Sequence, residues 1–96
     1  MKHLILVKYK AEISKEQKAA LIPEIKELFE HTTEIDGIHG VQLYPNVVDR
    51  ENRYDLLIEI DMDRGALEAY DRSEWHHRWK EQYGDLLEKK AIFDHE

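Results

Sequence analysis

Residues His3 to Tyr9 (HLILVKY) put large apolar groups on both faces of a strand, and few folds can hide both. His3, Ile5, Val7 and Tyr9 share one face, while Leu4 and Leu6 lead the other, above Lys8. Such a strand belongs in the middle of a sheet that is covered on both sides. The rest of the chain must supply those two covers.

Ser14 reads as an N-cap with Gln17 completing a capping box. Leu21, Ile22, Ile25, Leu28, Phe29 and Thr32 follow at helical spacing, and Lys and Glu fill the opposite, solvated side. Pro23 interrupts the pattern and predicts a kink; the helix should stop before Gly37. Val41 to Val48 alternates as a second strand, with Pro45 marking an edge or irregularity. A polar turn, Asp49 to Arg53, leads to a third strand over Tyr54–Met62. A short helix over Arg64–Tyr70 breaks at Asp71-Arg72-Ser73, and a second helix spans Glu74–Tyr83, with Gly84 as its cap. Lys89 to His95 closes the chain as a fourth strand.

The order β-α-β-β-α-β is the ferredoxin-like α+β pattern, in one domain over residues 1–96. An antiparallel-type sheet of four strands is expected, with strand four beside one, two beside three, and the central pair, one and three, parallel. The helices can cover one face only. The other would show Leu4, Leu6, Tyr44, Leu57, Ala91 and Phe93 to water, among Glu59 and Asp61. That patch exceeds what monomers usually expose, so a homodimer through this outer sheet face, a dimeric α/β barrel, is expected.

Composition narrows the function. Fourteen Lys and Arg against 21 Asp and Glu give a net charge of -7, which argues against nucleic acid and anionic membranes as partners. The apolar runs are too short to span a bilayer, and Met1-Lys2-His3 enters a strand directly, without a signal-peptide pattern. A cytoplasmic, soluble protein is expected. With no cysteine, disulfides and thiolate-held metal are excluded. His77 and Glu81 could share a helix face but make only two ligands; no metal and no cofactor is expected. Glycine-rich phosphate loops and dinucleotide fingerprints are absent.

Several segments together, Lys2 to Lys10, Ile13-Ser14, Pro45-Asn46, Tyr54-Asp55-Leu56, Ala66 to Tyr70 and Ile92-Phe93-Asp94, resemble the stress-responsive A/B barrel (Dabb) domains. The resemblance covers essentially the whole chain. It implies a dimeric α+β barrel made of two sheets face to face, and no single function. Among the proteins this chain is similar to, plant olivetolic acid cyclase closes a polyketide by aldol condensation in a pocket between sheet and helices. Its tyrosine and histidine, six positions apart, match Tyr70 and His76. Its His-Pro pair just before the histidine is replaced here by Ser73-Glu74.

On one continuous helix, residues six apart would point about 120° away from each other. Tyr70 and His76 can converge only because the helix breaks between them, with Ser73 capping the next one. His76 then sits in a first helical turn, where the dipole favours the neutral ring that a general base requires. On the strands, antiparallel pairing would bring His3 to Asp94, which would orient the imidazole. The expected pocket is lined by His3, Ile5, Val7, Leu56, Ile58, Tyr70, His76, Trp79, Ile92 and Asp94, apolar with a polar end.

Two functions compete on this basis. One is a ligand-binding, stress-associated dimer that holds a small apolar molecule without converting it. The other is a cofactor-independent cyclase, isomerase or lyase acting on a polyketide-like or enolisable substrate, with Tyr70 holding a carbonyl and His76 moving the proton. A cofactor-free oxygenase is a third reading by fold analogy alone.

Overall fold

The computed structural model describes all 96 residues. Its elements are β1 (Lys2–Tyr9), α1 (Lys15–Glu30), β2 (Ile38–Pro45), β3 (Leu56–Met62), α2 (Leu67–Arg72), α3 (Glu74–Tyr83) and β4 (Leu87–His95), with single 3₁₀ turns after α1, before α2 and after α3. The sheet order is β2-β3-β1-β4.

The strand directions correct one expectation. β1 and β3 run antiparallel, with Ile5 opposite Ile58 and Leu6 opposite Leu57. Parity explains it: the helical crossover returns β2 in the direction of β1, and the β2–β3 hairpin then reverses the chain once. β3 therefore enters beside β1 head to tail, and every neighbouring pair is antiparallel. β2 also starts and ends three residues earlier than its alternation suggested. Pro45 ends it on the sheet's edge, where a missing N–H costs no ladder bond.

The capping box at the start of α1 is complete: the Gln17 amide donates to Ser14 Oγ (3.1 Å), and the Ser14 amide donates to Gln17 Oε1 (2.7 Å). α1 continues through Pro23, which lies on its exposed side. Ile25, Leu28, Phe29 and Thr32 are buried against the sheet. Gly37 turns the chain into β2 with φ of +91°, and a Cβ there would come within 3.0 Å of the Ala66 side chain.

One core results, built from Ile5, Val7, Ile58, Ile60 and Met62 on the sheet and Phe29, Tyr70, Trp79 and Tyr83 on the helices. All three helices lie on this side. The opposite face keeps Leu4, Leu6, Leu57 and Ala91 only part-buried, and Tyr44 (49 %) and Phe93 (61 %) stand well exposed. No helix is long and apolar enough to cross a membrane.

Candidate functional site

α2 and α3 meet at Ser73, the non-helical residue between them, with φ -68° and ψ 154°. Its hydroxyl donates to the Tyr70 carbonyl (2.7 Å) and accepts the His76 amide (3.2 Å), closing one helix and opening the next. This break re-aims the chain so that the Tyr70 and His76 rings come together, centroids 4.9 Å apart. His3 reaches the other side of Tyr70, edge-on at 5.4 Å.

The polar atoms of these rings have distinct states. His76 Nδ1 lies 3.1 Å from the carbonyl oxygen of Asp71. A carbonyl can only accept, so Nδ1 carries the proton and Nε2 presents a lone pair. Burial holds the imidazole below the usual histidine range, and the nearby Lys80 adds to the effect. The Tyr70 hydroxyl is buried and has no hydrogen-bond partner. Burial, then the charge of Asp71, pushes its phenol far up, so it stays a neutral donor. His3 sits opposite Asp94 in the β1–β4 register, and Nδ1 lies 2.5 Å from the carboxylate. That bond places an N–H on Nδ1, directed at the carboxylate, and fixes the orientation of the ring.

A cavity of about 250 Å³ connects these groups. His3, Ile5, Tyr70, His76, Trp79, Ile92 and Asp94 line it, together with Leu67, Asp71 and Lys90. Three residues expected there lie elsewhere. Val7 (0 %) and Ile58 (0 %) are sealed in the core, and Leu56 (3 %) is buried at the far end of the sheet, against the groove beside α1. The α1 and α3 side chains pack onto that part of the sheet, so the cavity occupies only the β1–β4 end.

Lys90 and Asp71 escaped the sequence reading. Lys90 is two residues before Ile92 and so on the same strand face, which is the signal that identifies it. The part played by Asp71 is a backbone carbonyl five residues before His76, and no side-chain pattern announces it.

A larger groove, about 370 Å³, runs between α1 and the β2–β3 loop at the other end of the sheet. Its lysines are already engaged, Lys18 with Asp55 (3.0 Å) and Lys15 with Asp49 (3.6 Å). Tyr9 there has a buried, unpartnered hydroxyl pushed up to about 12 by burial and by Asp55, whose carboxylate is already held by Lys18 and by the Tyr9 amide. The smaller cavity is the one that joins an uncommitted imidazole nitrogen to an unpartnered phenol. His77 Nε2 meets its own helix neighbour Glu81 at 2.9 Å, as an exposed contact on the surface of α3.

A dimeric ferredoxin-like protein of unknown function from Bacteroides fragilis NCTC 9343 superposes with a TM-score of 0.79 at 18 % identity, covering 99 % of this chain and 93 % of that one. A Dabb-family protein of ferredoxin-like fold from Mesorhizobium loti gives 0.69 at 19 %, covering 99 % and 93 %. A hydroxynitrile lyase from Passiflora edulis gives 0.71 at 13 %, covering 96 % and 87 %. Each likeness concerns the fold. No curated protein matches in sequence. The family model of the stress responsive A/B barrel domain matches residues 1–96, and the chain belongs to that family.

Proposed function

We propose that the protein is a cytoplasmic homodimer in which each subunit binds a small, mostly apolar carbonyl or hydroxyl compound and moves a proton on it without a cofactor. The observation that carries this reading is that His76, with Nε2 uncommitted, and Tyr70, whose hydroxyl has no partner, line one cavity with their rings 4.9 Å apart. The phenol would donate to the substrate oxygen while the imidazole takes a proton from carbon or hydroxyl. Cyclase, isomerase and lyase steps all share that requirement. A lyase of similar fold in Passiflora edulis supports the choice of cyanohydrins as the first compounds to try.

Binding without conversion is the second reading, and one observation favours it. Ile92 in the cavity wall is 50 % exposed, so the β4 side stays open to water. Proton NMR in D₂O separates the two on a panel of cyanohydrins and enolisable ketones. Exchange or cleavage that disappears with His76→Gln supports catalysis. Movement of the His76 ring signals without turnover leaves a binding protein. If no compound moves those signals, both readings fall.

The dimer rests on the outer sheet face, where Leu6 and Leu57 sit side by side in the β1–β3 register. Leu57→Lys is expected to convert a sedimenting species of about twice 11.5 kDa into one of 11.5 kDa. Placing an ammonium in an apolar interface leaves it desolvated and unpaired, whereas on a free face it would be neutral to stability. A wild-type protein that sediments at 11.5 kDa, or a variant that stays dimeric, would refute this interface.

A further inference from the structure

We infer that the cavity is built for an anion, a short hydroxy- or keto-carboxylate whose carboxylate is held by Lys90, with Lys80 as a second, weaker cation. The inference rests on the pocket reading above and adds the substrate's charge to it.

The strand geometry sets the layout. Lys90, Ile92 and Asp94 are alternate residues of β4 and line the cavity together. Alternate residues on a strand are spaced by about 6.7 Å, so the wall runs from a basic end through an apolar middle to an acidic end. The acidic end is already committed, because Asp94 is bonded to His3. The basic end is not. Neither Lys80 nor Lys90 has a carboxylate within 4.0 Å, so the basic end of the wall has no counter-ion of its own.

Both lysines act on the same place. Lys80 lies one helical turn beyond His76 on α3, and the charges of Lys80 and Lys90 both bear on the His76 imidazole. The one uncommitted carboxylate nearby is Asp71, on the α2 side of the cavity. Lys90 thus shares the cavity wall with one free carboxylate, and Lys80 adds positive charge from α3, in a chain whose net charge is -7. An incoming carboxylate meets its counter-ions at the His76 end. The adjoining carbon, with its hydroxyl or carbonyl, then falls between His76 and Tyr70.

Matched probes test the charge alone. Mandelate and mandelamide share shape and hydroxyl and differ in one negative charge, so their dissociation constants by calorimetry report on Lys90 directly. The wild type is expected to prefer mandelate about tenfold, the factor carried by one charge-assisted hydrogen bond. That ratio should fall to near one in Lys90→Gln, drop below one in Lys90→Glu, and shrink from 25 mM to 500 mM salt. Lys90 is exposed, so neither substitution touches the core. Equal binding of acid and amide by the wild type overturns the anion inference and leaves the pocket reading standing. A preference that survives Lys90→Glu overturns the assignment of the carboxylate to Lys90. Binding of neither probe overturns both.

Discussion

Trp79→Ala should cost the fold about 3–5 kcal/mol, while Trp75→Ala, four residues away, should cost less than about 1.5 kcal/mol. Trp79 is 2 % exposed and stands edge-on to Phe29, centroids 5.1 Å apart, and tilted against Tyr83 at 5.5 Å. Its removal opens a large void between α1, α3 and the sheet, and the well-packed neighbours cannot all move to fill it. Trp75 is different. It is stacked on the exposed His31 at 4.4 Å, with Arg78 over its ring at 5.0 Å, and water can replace much of what it covers. A domain of this size has roughly 5–15 kcal/mol in total, so the first substitution removes a large share of the margin. Thermal melts at one fixed protein concentration suit the comparison, because a dimer's midpoint depends on concentration. The melting temperature should fall by more than about 15 °C for Trp79→Ala. Equal losses for the two tryptophans would mean that the helices are not packed as described.

The contrast between those two residues also measures what the sequence can disclose. Both sit on α3 at helical spacing, and periodicity alone treats them alike; only the position of α1 separates core from rim. The elements themselves were legible because each carries its own local chemistry. Ser14 and Gln17 announce a helix start, and alternation in His3–Tyr9 announces a strand, and both follow from short-range geometry. The direction of β3 was misjudged since it depends on counting reversals along the whole chain, which no single segment records. β2 slipped by three residues because Val47 and Val48 look like strand residues; in the fold Val47 is 93 % exposed, beyond the edge strand's end. At the site, Tyr70, His76, His3 and Asp94 came from a family resemblance joined to the strand register, and the structure brings all four to one cavity. Val7, Leu56 and Ile58 were placed there because a sheet face looks uniform until the helices above it are known. Periodicity assigns a face; it cannot say which part of that face a helix leaves bare.

If the cavity turns over a substrate, His76→Gln should reduce the rate by about a hundred- to ten-thousandfold, and Tyr70→Phe should reduce it while making the protein no less stable. The second half is the sharper test. An ordinary core tyrosine loses stability when its hydroxyl is removed, because that hydroxyl was hydrogen-bonded. The Tyr70 hydroxyl has no partner, and a buried unsatisfied group costs about 1–3 kcal/mol, so phenylalanine should melt at the same temperature or higher. A stable but inactive Tyr70→Phe assigns the hydroxyl to substrate, whereas a destabilised one means that it serves the fold. The pH profile follows from the same burial. His76 in the folded protein holds its proton less well than in the unfolded chain, so turnover should be flat above the ordinary histidine value and fall only as pH drops through the depressed one. Stability carries the same sign: between those two values the unfolded chain binds more protons, and acidification erodes what the neutral ring contributes. At the alkaline end the raised Tyr70 phenol keeps its proton past the usual tyrosine range, so no descending limb is expected near pH 10. Turnover that peaks near neutrality and declines again by pH 9 would assign the proton transfers to other groups.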